Sequence, residues 1–148
     1  MNQDFVEMLS GLSAVKADFI IVGAHALAAH GLPRATGDLD IWIRPSPENA
    51  ARVWQVLNTF GAPLSELSIN DLSTPGIVFQ IGLAPCRIDI LTDIDGVNFD
   101  EALANRIYVK VFGIDVPVIG VNELLKNKKA VGRPQDMADA ARLENQEG

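Results

Sequence analysis

Phe5, Met8, Leu9, Leu12 and Val15 recur at three- and four-residue spacing, which lays one apolar stripe of a helix on a core. The period then changes. Phe19-Ile20-Ile21-Val22 is a short aromatic and β-branched run ending at Gly23, the pattern of a buried strand. The alanine-rich stretch from Ala24 to Ala29 predicts a helix, which Gly31 and Pro33 stop. From Asp38 to Ile43, acidic or large residues alternate with aliphatic ones before Pro45, which predicts a strand with both aspartates on one face. Ser46 before Pro47 reads as an N-cap followed by proline at the first helical position, and Val53, Val56, Leu57 and Phe60 supply the buried stripe up to Gly61.

Residues 62–75 mix leucines with Ser, Asn, Asp and Pro, and fit either a short helix or a long loop. Two strands are predicted near Ile77–Ile81 and Arg87–Leu91, followed by the turn residues Asp93, Asp95 and Gly96. A short helix near Phe99–Leu103 precedes a hairpin, Ile107–Phe112 and Ile114–Ile119, turning at Gly113. Val121–Lys129 reads as a helix carrying Leu124 and Leu125, and Pro134 starts a last helix with Met137, Ala141 and Leu143 inward. The sum is an α+β (α/β layered) chain, a mixed β-sheet flanked by helices.

A length of 148 residues fits one domain spanning 1–148, large enough to bury a single core. The net charge of -7 argues against general duplex-DNA binding, which draws its affinity from a basic surface. Cys86 stands alone, so it has no internal disulfide partner and no zinc spacing, and is expected to fill core. The start of the chain lacks the layout of a secretory signal, and its most apolar stretch, Phe19–Leu32, is short and interrupted by His25 and His30. A cytoplasmic protein without membrane association is expected.

The chemistry concentrates on carboxylates. Asp38 and Asp40, one residue apart in a strand, point the same way roughly 7 Å apart, and Asp89 in Arg87-Ile88-Asp89-Ile90 repeats the pattern. If the two strands are neighbours, three carboxylates converge, and a divalent cation would relieve their repulsion. Mg2+, or Mn2+ in its place, takes oxygen ligands of this kind. The bland alternative is the solvent face of a half-buried sheet, which by itself is the commoner meaning of an acid-x-acid pair. Upstream, Gly23-Ala24 closes a strand and opens a helix, so its backbone N–H groups can receive phosphate oxygens.

A small-residue pair beginning with Gly, a helix, Asp-x-Asp between aliphatics and a third acid on a later strand resemble the polymerase-beta-type nucleotidyltransferase superfamily. The stretch Gly31-Leu32-Pro33-Arg34-Ala35-Thr36-Gly37-Asp38-Leu39-Asp40 is similar to the abortive-infection toxin group, in which Arg-x-Thr precedes the acidic pair. The segment from Asn127 to Asp139, with Lys128, Arg133 and Asp136, resembles that group's carboxy-terminal Lys, Arg, Asp motif. One departure is Ala24, where the superfamily more often has glycine or serine.

The resemblance implies a nucleotidyltransferase with Asp38, Asp40 and Asp89 as catalytic and metal-holding residues. It implies nucleoside triphosphate contacts from Gly23, Ala24, Arg34, Thr36, Lys128, Arg133 and Asp136, with Lys129 as the fallback for Lys128. An RNA or protein acceptor and an antitoxin partner belong to the same expectation. Ordinary roles compete: loop residues for Arg34 and Thr36, macrodipole complements for the lysines, a local ion pair for Arg133 and Asp136, and a structural place for Asp139. Two rival functions stand beside transfer, a catalytically silent nucleotide-binding module or antitoxin-like partner, and an interaction domain whose aspartates are merely solvated. Asp93-Ile94-Asp95-Gly96 is a turn and not a calcium loop, since no glutamate follows at the needed offset, and His25 and His30 lack zinc-helix spacing.

Overall fold

The computed structural model of the protein describes residues 3–34, 37–83, 86–111 and 113–147. Helix α1 (Gln3–Ala14) leads into β1 (Phe19–Val22), α2 (Gly23–Ala29), β2 (Leu39–Ile43) and α3 (Pro47–Phe60). Then come α4 (Ile69–Leu72), β3 (Val78–Ile81), β4 (Ile88–Leu91), α5 (Phe99–Ala104), the hairpin β5 (Ile107–Val111) and β6 (Ile114–Val118), and the closing helices α6 (Val121–Val131) and α7 (Pro134–Glu147). Among the described residues six strands form one mixed sheet in the order β3-β4-β2-β1-β6-β5. β2 runs antiparallel to β1 and parallel to β4, β3 is antiparallel to β4, and β6 lies parallel to β1 on the other side. This is the mixed, helix-flanked sheet that the patterning predicts.

Local chemistry sets the element ends. The Ser46 side chain accepts from Asn49 N–H at the start of α3, Pro47 follows it, and Gly61 closes the helix in the left-handed region. The stretch 62–75 contains the short helix α4, opened by a capping box between Ser68 and Asp71. Helices α1 and α3 cross closely at Gly11, where a Cβ would lie 2.9 Å from Val56 Cγ1.

All four β1 residues are buried, so β1 is covered on both faces. Strand alternation puts Phe19, Ile21, Leu39, Ile41, Ile88 and Ile90 on one face and Ile20, Val22, Asp40, Trp42, Asp89 and Leu91 on the other. On that second face α5 covers the end of β2 away from the acids. Phe99 meets Trp42 edge-on at 5.0 Å, and the Arg44 guanidinium lies over Phe99.

Three expectations change. Cys86 is exposed, not in the core. β2 begins at Leu39, so Asp38 stands just before the strand. Met137 is 46% exposed and Ala141 is exposed, because the inward face of α7 is instead Asp136, Asp139, Ala140 and Leu143. Two of those four are aspartates, which hydrophobic periodicity cannot register; ion pairs replace apolar contact there. Phe112 of the expected hairpin lies outside the described residues. No helix among the described residues is long and apolar enough to cross a membrane.

Candidate active site

The strand registers draw a single line across four strands. Val22 on β1 pairs with Asp40 on β2, Asp40 with Asp89 on β4, and Asp89 with Gln80 on β3. Residues paired this way share a face, and neighbouring strands lie roughly 5 Å apart, so the Asp40 and Asp89 carboxylates stand side by side. Asp38 joins them from the approach to β2, where its Oδ1 accepts the backbone N–H of Arg87 at 3.2 Å. At the β1 end of the line Gly23 has a φ of +69°, and a Cβ there would lie 2.0 Å from Asp40 Oδ2. The glycine that sequence reading assigned to a phosphate cradle therefore also makes room for the aspartate.

The electrostatics are unbalanced. Arg87 donates from Nε to Asp89 Oδ1 at 2.8 Å and from Nη2 to Asp89 Oδ2 at 3.1 Å, and its Nη2 lies 3.3 Å from Asp38 Oδ2. One guanidinium thus serves two of three acids. Asp40 is pushed up to about 6, first by burial, then by the charge of Asp89 and a hydrogen bond to it, then by the charge of Asp38, with Arg87 pulling the other way. Asp89 is itself buried.

A second polar set forms between α6 and α7. Lys128 Nζ lies 3.2 Å from Asp136 Oδ1 and 3.4 Å from Asp139 Oδ2, the latter an ion pair not aligned as a hydrogen bond. Arg133 donates from Nε to Asp136 Oδ2 at 2.8 Å. Asp139, fully buried, also accepts from Gln135 Nε2 at 3.0 Å and pairs with Arg34. Asp136 is held below the usual carboxylate range, first by the hydrogen bond from Arg133, with burial opposing and Lys128 adding to the effect.

The structure thus joins Asp38, Asp40 and Asp89 with Gly23 in one place, and Lys128, Arg133 and Asp136 in another. Ala24 follows Gly23 in α2. Arg34, expected to contact the triphosphate, forms an ion pair with Asp139, and Gln146 Nε2 donates to Gly31 O at 3.4 Å. Helix α7 therefore pins the connection that delivers Asp38 and Asp40 to the line. The fallback Lys129 pairs with Glu144 at 3.4 Å, half-exposed on both sides. Thr36 lies outside the described residues.

Two residues escaped the sequence reading. Arg87 carried a signal: two positions before Asp89 in a strand, it points the same way. Gln80 carried none, because its place beside Asp89 depends on the β3–β4 register.

No protein-family model matches the sequence, and no curated protein does. Among solved structures, a candidate nucleotidyltransferase of Thermotoga maritima superposes with a TM-score of 0.60 at 16% identity, over 96% of this chain and 91% of that one. The lincosamide antibiotic adenylyltransferase LnuA, solved with lincomycin bound, gives a TM-score of 0.60 at 12% identity, over 97% and 96%. The chain has the nucleotidyltransferase fold.

Within a nucleotidyltransferase fold the oxygen-only donor set and its charge deficit fit Mg2+ or Mn2+. Among the described residues no three carboxylate, His or Cys side chains are gathered into a ready-made metal cage.

Proposed function

We propose that the chain is a metal-dependent nucleotidyltransferase that moves a nucleoside monophosphate from a nucleoside triphosphate to an acceptor hydroxyl. The observation that carries this reading is the register placing Asp40 beside Asp89, with Gly23 cleared for the Asp40 carboxylate. One structural neighbour is an adenylyltransferase, which supports nucleotidyl transfer as chemistry this fold performs.

Asp38, Asp40 and Asp89 would hold Mg2+ or Mn2+, which when bound neutralises phosphate charge as a Lewis acid. Asp89 orients the acceptor hydroxyl and takes its proton as the oxygen attacks the α-phosphorus. The bond from that phosphorus to the bridging oxygen breaks, and pyrophosphate leaves. The family resemblance assigns the triphosphate to backbone N–H groups of Gly23 and Ala24 and to Arg34, Lys128 and Arg133, while its other candidate, Thr36, lies outside the described residues. Asp136 serves by holding Lys128 and Arg133.

Incubation with α-labelled nucleoside triphosphates and Mn2+ tests the proposal. Wild type should release pyrophosphate in the presence of acceptor, and Asp40→Asn should not. If both release it equally, the acid line is not the site. The resemblance to the toxin group adds a cellular arm, in which growth arrest should follow expression of wild type and not of Asp40→Asn.

One observation favours a second reading, a module that binds nucleotide without transferring it. Arg87 already gives Asp89 a bidentate counter-ion. Metal-dependent nucleotide binding with no pyrophosphate released from the triphosphate in the presence of any acceptor would select that reading.

A further inference from the structure

Asp139 is fully buried on the inward face of α7, where Ala140 and Leu143 are buried too. A charge taken out of water is unfavourable unless its partners are well placed, and an apolar residue of similar volume avoids that penalty. What a carboxylate can do here and an apolar side chain cannot is join separate parts of the chain. Its Oδ1 accepts from Gln135 on α7 itself at 3.0 Å and from Arg34 on the connection ahead of β2. Its Oδ2 lies 3.4 Å from Lys128 Nζ on α6, without an aligned hydrogen bond. The aligned charged contact is therefore the one to the connection.

That connection is anchored in steps. His30 Nε2 meets Ile119 O at 2.8 Å, Gln146 donates to Gly31 O, and Leu32 is buried in the core. Arg34 comes next, and Asp38 stands four positions beyond it, within about 14 Å even for a fully extended chain. A guanidinium turned from Asp139 to a phosphate would leave that acid buried beside a misaligned lysine, the costly state for a buried charge. Arg133 is differently placed. Its side chain is 75% exposed against 30% for Arg34, and Lys128 still donates to Asp136 at 3.2 Å if Arg133 turns away.

We infer that Arg34 is a positioning residue for the acid line and not a triphosphate ligand. Asp139 holds its guanidinium, and the pair sets the place from which Asp38 and Asp40 enter the site. The inference rests on the transfer reading above, and on its assignment of Mn2+ to those acids.

Mn2+ titrations of the nucleotide-free chain, read by the electron paramagnetic resonance of unbound Mn2+, test it. Arg34→Gln and Asp139→Asn should each weaken Mn2+ binding about tenfold, the scale on which partners behind a metal ligand act. The double variant should be no weaker than either. Arg34→Lys, which restores a charge opposite Asp139, should recover most of the affinity. Triphosphate affinity measured without metal should be the same in Arg34→Gln as in wild type. Leu143→Ala removes packing from the same face of α7, so it should lower the urea midpoint and leave Mn2+ affinity unchanged.

Unchanged Mn2+ affinity in Arg34→Gln, or weaker metal-free triphosphate binding by that variant, would overturn the inference. Additive losses in the double variant, or a loss in Leu143→Ala as large as that in Arg34→Gln, would do the same. If Asp139→Asn does not fold, Arg34→Gln and Arg34→Lys decide between themselves, and equal losses in the two count against the pair. Wild type that binds no Mn2+ overturns the metal assignment of the transfer reading, and this inference with it.

Discussion

Two carboxylate clusters of this protein are built to opposite electrostatic designs. At the sheet, one guanidinium pairs with Asp38 and Asp89 of the three acids, and Asp40 is pushed up to about 6. Between α6 and α7, Asp136 and Asp139 meet Lys128, Arg133 and Arg34, and Asp136 is held below its ordinary value. Both clusters contain deeply buried acids, so burial alone does not distinguish them. The difference lies in the counter-charge. The α6–α7 cluster carries its own cations and joins a helix pair to the connection ahead of β2. The sheet cluster is left short of positive charge, a condition that a bound cation can correct.

The contrast is most sharply broken by removing a cation from the saturated cluster. Lys128→Ala leaves two buried carboxylates with fewer partners and should cost about 3 kcal/mol in urea unfolding, while also weakening nucleotide binding and sparing Mn2+ binding. An unchanged midpoint would make Lys128 a surface charge.

Next in size is Gly23→Ala. A side chain at a positive φ that also collides with Asp40 Oδ2 should cost about 2 kcal/mol and abolish the rise in Tm that Mn2+ produces. If that variant keeps its Mn2+ response, Asp40 is not held against the glycine.

Asp40→Asn probes the opposite sign. It removes like-charge repulsion, so the metal-free variant should gain about 1 kcal/mol and lose most of the Mn2+ response. Destabilisation instead would mean that the sheet cluster is as well compensated as the helical one.

The smallest effect is a slope with pH. Folded Asp40 holds its proton up to about 6 against an ordinary 3.8, so its contribution to stability is full below the lower value and is lost as pH rises through the higher. Asp136 acts oppositely, adding stability above its ordinary value that is lost as pH falls through its lowered one. Metal-free wild type should therefore lose stability between about pH 4.5 and about pH 7 relative to Asp40→Asn. Urea melts of the two chains at both values would show it, and parallel curves would count against the unbalanced cluster.

The main elements were legible because their signals are local. Ser46-Pro47 fixes the start of α3, the β-branched run fixes β1, and the alternation around Asp40 and Asp89 fixes which side chains share a face. Long-range pairing was not legible. Arg34 and Asp139 are 105 residues apart in sequence, and nothing local marks them as partners. Apolar periodicity placed Met137 and Ala141 inward on α7, because the residues that turn inward include two aspartates whose burial depends on Lys128 and Arg34. Cys86 was assigned to the core from residue type alone, and it lies exposed in the turn region before β4. The conjunction of Asp38, Asp40 and Asp89 was anticipated; their partner Arg87 was signalled by its place two positions before Asp89 but passed over, and the neighbouring Gln80 emerged only from the register.

The parallel pairing of β1 with β6 also governs when the molecule can come into being. Ile21 and Val118 are neighbours in space yet stand roughly a hundred residues apart along the chain, a separation that slows folding. During synthesis the residues of the acid line emerge first, while one side of β1 still lacks its strand. A ribosome that stalls before Ile114 would hold a chain bearing all three carboxylates but an open, wholly apolar edge at Phe19–Val22, the kind of surface that chaperones and aggregates both capture.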